Sequence, residues 1–338
     1  MVAVDNIDRR ILYVLDWDSR QPVSRIAKKL GISKDVANYR IRKMIDSGII
    51  RSFYPIVNFH RLGFFPYRVS AKLKNVSYEQ EKALISYLVS LENVQWVASC
   101  GGIWDLIFVI FARDVYEFQD FYSEFREKFG NCLEKTKIAM SHRMHFFTRG
   151  CLLGEDQLGE FEGKEVVSEG SPTEIDDIDW ELIGLLGKDA RMSLLDLSRR
   201  LKLSPNAVDY RMKRLMKDGI IQGFRMLPNL EMLGIKYYKV YFRFSNYDRA
   251  RISQMFSYAK SNPFIVYMVE ALGGADLDLE FQVNSRETFL KTLADFRNRF
   301  SDIIRDCDTI TLYEEHKLDF VPHKPKKEKW SAQASAEM

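Results

Sequence analysis

The strongest constraint on this chain is that it contains itself twice. Shifted by 171 positions, the segment from Asn6 to Phe53 falls on Asp177 to Phe224 without a gap, and 13 of those 48 positions are identical. Ile7-Asp8 matches Ile178-Asp179, Asp18 and Arg20 match Asp189 and Arg191, and Gly48-Ile49-Ile50 matches Gly219-Ile220-Ile221. Gly63 meets Gly234 at the same offset, while Gly101-Gly102 meets Gly273-Gly274 at 172, which reads as one extra residue in the second copy. A self-similarity this long organises the whole fold, and the chain is expected to hold two copies of about 150 residues each.

Each copy opens with three short amphipathic segments. Ile7, Ile11, Val14 and Leu15 share one face behind a cap at Asp5 or Asn6. Pro22 opens a second helix with Val23, Ile26, Ala27 and Leu30 inside. Gly31-Ile32-Ser33 breaks it, glycine ending one helix and Ser33 capping the next. In the second copy Lys202-Leu203-Ser204-Pro205 does the same, with Pro205 where a missing N–H costs nothing. The third helix, 33–47, is expected to bury Ala37, Ile41, Met44 and Ile45, and Ile49 to Val57 reads as the strand of a wing. Such a tri-helical unit is a helix-turn-helix, whose last helix enters the major groove. Subtracting the core leaves Lys34, Asp35, Asn38, Tyr39, Arg42 and Lys43 outward in copy one, and Asn206, Asp209, Tyr210, Lys213 and Arg214 in copy two. Arg and Lys neutralise phosphates and read guanine, and Asn bridges adenine. The DNA-contacting set is therefore expected to be Ser33, Lys34, Asn38, Tyr39, Arg40, Arg42 and Lys43, with Ser204, Asn206, Tyr210, Arg211, Lys213 and Arg214.

The second part of each copy changes period. Tyr67, Val69, Ala71 and Leu73 alternate with Arg68, Ser70 and Lys72, a strand with one apolar face. Tyr78–Ser90 is helical, 94–100 and 106–112 are strands, Val115–Phe129 is helical, and 133–147 is a last strand region. This β-α-β-β-α-β order is the ferredoxin-like split arrangement. In copy two, Tyr238, Val240, Phe242 and Phe244 repeat the apolar face. Helices cover only one face of such a sheet, so its other face needs a cover, which the tethered second copy can supply. The fold class is thus α+β, two tandem winged helix-turn-helix units each followed by a ferredoxin-like domain. The boundaries read as 1–58 and 177–229 for the DNA-reading units and 64–150 and 235–322 for the second domains. Residues 151–176 read as a flexible acidic linker and 323–338 as a disordered tail.

Composition narrows the classes. Four cysteines at wide spacing give no metal or disulfide framework, the N-terminus lacks a secretory pattern, and no apolar run spans a membrane, so a cytoplasmic protein without a metal is expected. A net charge of +3 neither demands nor excludes nucleic acid. No nucleotide loop, catalytic triad or carboxylate pair occurs at usable spacing, so neither an enzyme nor a cofactor is signalled.

The Gly-Ile-Ile ending of the helix-turn-helix, the Asn-x-x-x-Leu-Gly junctions (Asn58 to Gly63, Asn229 to Gly234) and the β-α-β-β-α-β domain together resemble the leucine-responsive regulator (Lrp/AsnC) family over nearly the whole chain. The resemblance implies a transcriptional regulator on double-stranded DNA, whose second domains mediate assembly and sense an amino acid or other small metabolite. It also places an effector cleft near the Gly-x-x-Asp turns, here Gly102 to Asp105 and either Gly273 to Asp276 or Gly274 to Asp278. The effector candidates are therefore Gly102, Asp105, Gly274, Asp276 and Asp278, although a tight hairpin and a turn-capping aspartate explain the same residues. Two departures stand out. Two copies occupy one chain, an intramolecular pseudo-dimer open to further homo-oligomerisation, and Tyr39 and Tyr210 precede the shared arginines where a basic residue is expected. Two rival readings remain: an enzyme resembling siroheme decarboxylases, for which the five histidines lie outside the middle-strand turn, and a metabolite-binding module without DNA binding.

Overall fold

The computed structural model describes residues 4–74 and 76–324. Copy one runs α1 (Asn6–Trp17), α2 (Val23–Leu30), α3 (Lys34–Asp46), β1 (Ile50–Val57), β2 (Phe65–Leu73), α4 (Tyr78–Ser90), β3 (Val94–Gly102), β4 (Leu106–Ala112), α5 (Val115–Phe129) and β5 (Leu133–Phe147). After β6 (Glu165–Ser168), copy two runs α6 (Asp177–Lys188), α7 (Leu194–Leu201), α8 (Pro205–Lys217), β7 (Ile221–Pro228), β8 (Lys236–Phe244), α9 (Arg249–Ser261), β9 (Ile265–Leu272), β10 (Leu277–Val283), α10 (Arg286–Arg299) and β11 (Ile304–Leu318). The middle strands β3 and β9 begin 171 residues apart, as do β4 and β10. The expected extra residue is therefore absent, and Asp276 is the true counterpart of Asp105.

The two ferredoxin-like sheets close on each other. The strands follow the order β2-β4-β3-β11-β8-β10-β9-β5, and β5 pairs again with β2, so eight strands form a complete barrel. Two 15-residue strands make the closure. The first half of β5 pairs with β2 of its own sheet (Val69 opposite Ile138) and its second half with β9 of the other (Met144 opposite Val269). The strand β11 does the same with β8 and then β3. Closure pairs the eight strands along most of their length and buries most of the lumen-facing side chains. The apolar face of each sheet carries its helices: Val69, Phe108 and Ile110 pack under Leu84, Leu88 and Phe125, and Val240, Phe242 and Phe281 under Met255 and Phe296. The opposite face, with Arg68 and Ser70 on β2 and Lys239 on β8, is buried in the lumen.

The segment expected to be a flexible linker is ordered. Gly150 to Leu153 are buried in the core beneath the helix-turn-helix units, and β6 adds to the outer edge of β5, Met144 opposite Ser168. The segment then grips the Asn58–Gly63 junction: Asn58 Nδ2 donates to Glu169 O at 2.9 Å, His60 meets Ser168 Oγ at 3.2 Å, and Thr173 N donates to Arg61 O at 2.7 Å. Polar composition misled the sequence reading, because the order comes from distant partners rather than from an amphipathic period. Of the expected tail, His323 and Lys324 are exposed and 325–338 lie outside the described residues. Among the described residues no helix is long and apolar enough to cross a membrane.

Barrel and helix-turn-helix units meet at a buried ionic cluster. Asp16 of α1 is fully buried and binds Arg149 Nη1 and Arg225 Nη2, each at 2.5 Å. Burial alone would raise the Asp16 carboxyl, but Arg225 and Arg149 outweigh it and hold it below the ordinary range. Arg149 also donates to Tyr267 Oη at 2.6 Å and Gln282 Oε1 at 3.1 Å inside the barrel. At the positions 171 residues away the same junction is solved without charge. Tyr54 stands for Arg225, Phe320 for Arg149 and Gly187 for Asp16. The Tyr54 and Phe320 rings stack at 3.8 Å, and a Cβ at Gly187 would come within 2.9 Å of Val321.

Asp16→Ala strands two buried guanidinium groups and should cost about 3–5 kcal/mol in urea unfolding. Replacing the whole cluster by its counterpart (Asp16→Gly, Arg149→Phe, Arg225→Tyr) should recover a large part of that loss, whereas a triple variant less stable than Asp16→Ala refutes the equivalence of the two solutions. A second expectation concerns His145, which meets Glu165 of β6 at 2.6 Å. Burial opposes its charge, but the bond to Glu165 and the Glu270 carboxylate 3.7 Å away prevail and raise its pKa, so its contribution is complete below the ordinary histidine value of about 6.5 and is lost as pH rises through the higher folded value. The stability gap between the protein and His145→Gln should therefore narrow as pH rises above about 6.5.

Candidate nucleic-acid interface

The two helix-turn-helix units are joined by a reciprocal clasp. The strands β1 and β7 pair antiparallel, Tyr54 opposite Arg225, forming a two-stranded sheet shared by the copies. Arg20 donates to Ala190 O and, at 3.0 Å, to Met192 O, while Arg191 donates to Ser19 O at 2.9 Å. Each guanidinium also lies over the partner copy's phenyl ring, Arg20 over Phe224 at 5.3 Å and Arg191 over Phe53 at 5.2 Å. Ser19 N to Phe224 O and Ala190 N to Phe53 O complete the exchange. The residues that matched most clearly in the repeat thus include those that hold the two copies together. This fixes α3 and α8 relative to each other about a pseudo-twofold axis.

Capping follows the sequence. Ser33 Oγ accepts from Val36 N and Ser204 Oγ from Ala207 N, so both serines end the turn rather than stand free. Gly31 adopts φ 67°, the left-handed cap that glycine reaches without strain, and Lys202 holds the same conformation at φ 54°. On the outer face Lys34, Arg42, Lys43, Asn206 and Lys213 are exposed, Asn38 is half-buried, and Tyr39 and Tyr210 are each 68% exposed. Lys213 leans on Asp209 at 2.6 Å, a solvent-exposed pair within reach of exchange.

Three expected contacts are otherwise engaged. Arg40 Nη1 binds Asp5 at 2.7 Å and Asp8 at 2.9 Å, and Arg211 Nη1 binds Asp176 at 2.7 Å and Asp179 at 2.8 Å. These arginines tie the third helix to the start of the first, and their hydrogen bonds to the carboxylates raise both their pKa values. Arg214 also binds Asp179. The expected core residue Ile45 is 41% exposed, because the helix turns it away from α1.

The effector candidates divide. Asp105 accepts from Leu73 N at 2.8 Å and Lys72 Nζ at 2.7 Å, and Asp276 accepts from Phe244 N at 2.8 Å, so both tie their turns to the ends of β2 and β8. Gly102, at φ 123°, lies where β3 meets β11, and a Cβ there would sit 2.9 Å from Thr309 O. Gly274 and Asp278 do reach the lumen. Gly274 borders a cavity of about 300 Å³ at one mouth, with Arg68, Trp104, Lys137 and Tyr241, and Asp278 binds Arg68 within. Lys239 bridges Glu280 at 2.7 Å and Asp278 at 3.5 Å, and burial lowers its pKa to about 8. Tyr237 donates to Glu280. Apart from Gly274 and Asp278, the sequence reading missed this lumen set. Its signal was the acids at 278 and 280 alternating with the apolar face of β10, opposite the basic face of β8.

A winged helix-turn-helix DNA-binding family matches residues 4–51 and again 175–222. A helix-turn-helix transcriptional regulator of Pyrococcus abyssi, FL11, is 32% identical over 36% of this chain and 78% of its own length. The chain belongs to the Lrp/AsnC family of transcriptional regulators. The regulator AldR of Mycobacterium tuberculosis, 29% identical, likewise matches 36% of this chain and 68% of its own. Each relative thus spans about one copy of this two-copy regulator. Over its full length the regulator shares its fold with the siroheme decarboxylase NirDL, at a TM-score of 0.61, 12% identity and 95% coverage of both chains.

Arg40→Ala or Arg211→Ala should each lower stability by about 1 kcal/mol in urea unfolding, since the pairs are part-exposed. No change on substitution would show that the third helix is held by its apolar face alone.

Proposed function

We propose that this regulator reads an asymmetric operator with two unlike heads carried on one rigid frame. The reciprocal Arg20 and Arg191 clasp supports the reading: it holds the heads in register, while the outward residues differ, Lys34, Asn38 and Arg42 on one and Asn206, Asp209 and Lys213 on the other. Bases are met by the first residues after Ser33 and Ser204, and the later basic residues meet phosphates. The barrel acts as the frame and as the seat of a small-metabolite effector, and the protein works without catalysis as an intramolecular pseudo-dimer.

The shared fold raises one rival, a porphyrin-processing enzyme. The five histidines speak against it. His60 is bonded to Ser168 and Ser141, His145 to Glu165, His316 to Ser99 and His323 to Asp319, while His142 is exposed, and none borders either lumen cavity. Siroheme added to the purified protein should leave its visible spectrum unchanged.

Selection from random duplexes should enrich an imperfect inverted repeat with half-sites about 10 bp, or a multiple, apart. A perfect palindrome would sink the idea of two unlike heads. In salt titrations, Arg42→Ala and Lys43→Ala should each reduce the slope of log K against log salt by about 0.9, whereas Arg40→Ala should leave it unchanged.

A further inference from the structure

The barrel lumen is asymmetric in a way the two heads are not. Asp278, Glu280 and Gln282 of β10 face inward, and the matching residues of β4 are Ile107, Val109 and Phe111. Tyr267 faces inward where Trp96 does on the other side, and Arg149 where Phe320 does. One wall is charged and the other apolar. Between them lies a cavity of about 70 Å³. At about 10–15 Å³ per water it has room for roughly five waters, or a ligand of similar size.

The cavity opens on one side. Past the point where β2 ends, β6 covers the edge of β5. The equivalent edge of β11 loses β8 at Leu312 and has no further strand beside it among the described residues. A groove along that edge shares Leu230, Tyr237 and Glu315 with the cavity. The linker therefore plugs one of two pseudo-symmetric openings and leaves the other as a portal.

Several polar groups that border the cavity keep a donor without a protein partner. Gln282 gives its Oε1 to Arg149 and keeps its Nε2 free. Tyr267 accepts from Arg149 and retains its own proton to donate. The Ser141 hydroxyl and the Gln95 amide also border the cavity with no side-chain bond among the described residues. Charge points the same way. Arg149, which borders the cavity, shares its one carboxylate, Asp16, with Arg225. Glu315 at the portal takes the Trp96 indole N–H at 2.9 Å, and burial and Glu280 raise its pKa. That end of the cavity is thus one negative charge short, and buried polar groups without partners are costly.

We propose that this cavity is a binding site for a small organic carboxylate with an apolar tail. The carboxylate lies beside Arg149 among the Gln282, Tyr267 and Ser141 donors, and the tail rests on Trp96, Val109 and Leu318 of the apolar wall. The site deepens the effector reading above and gives it a route, because the guanidinium that borders the ligand also holds Asp16 of α1. An anion beside Arg149 competes with Asp16 for that charge and loosens the tie to the DNA-reading units.

Calorimetric titration of the full chain with 3-methylbutanoate tests the proposal, with 3-methylbutan-1-amine as the isosteric cation. The expected result is one saturable site per chain for the acid and at least tenfold weaker binding of the amine. Tyr267→Phe should weaken the acid about three- to tenfold, the worth of one hydrogen bond. Val109→Trp, which fills the cavity, should abolish binding in a variant whose thermal unfolding remains cooperative. Equal binding of the amine, no saturable binding of the acid, or unchanged affinity in both variants overturns the proposal. Operator affinity is read separately: acid binding lost in Val109→Trp, with no effect on DNA affinity, upholds the site and removes only its role as an effector site.

Discussion

Edge-to-edge pairing of the two four-stranded sheets is the constraint on which the rest of this molecule depends. A ferredoxin-like sheet presents one apolar face to its helices and leaves the other to be covered. Here β5 and β11 are long enough to serve both sheets, so each sheet covers the other, and the far end of β11 keeps an unpaired edge. The closure also explains why strands with charged inner faces are tolerated. Arg68, Lys239, Asp278 and Glu280 are taken from water together, and their mutual pairing offsets a desolvation that any one of them alone would not survive.

On that frame the two copies have diverged unequally. Where they clasp each other, the pattern is reciprocal: Arg20 and Arg191, Phe53 and Phe224, Ser19 and Ala190 occupy equivalent places. Where barrel meets helices, one side uses the Asp16–Arg149–Arg225 cluster and the other an aromatic stack. Both are ways of filling one buried junction, and they show that geometry is shared more strictly than chemistry. The charged version alone extends into the lumen, through Tyr267 and Gln282.

Much of this was legible beforehand. Periodicity gave α4, α5, β4 and β5 their limits, because each buries a continuous apolar stripe whose ends are marked by caps or turns. The family was legible in the order of its motifs. Partner choice for polar side chains was not. Arg40 looked like a DNA contact because its neighbours do, yet Asp5 and Asp8, more than 30 residues earlier, reach it first. Asp105 and Asp276, offered by the sequence as effector residues or turn aspartates, bind the ends of β2 and β8. The segment 151–176 looked flexible because its stabilising contacts, to Asn58, Arg61 and β5, lie far away in sequence. The inward acids of β10 became meaningful only once a closed lumen placed β8 opposite them.

The ordered connection through β6 has a consequence for how such a protein behaves in scarcity. Two separate chains must find each other, so their folded and competent fraction falls with dilution. Here the second copy is held by a short, docked segment, and its effective concentration does not depend on how many molecules are present. A handful of copies can therefore keep both heads assembled. Because the halves never exchange partners, a substitution in one is always read against the same other half, which frees the two to specialise along separate lines.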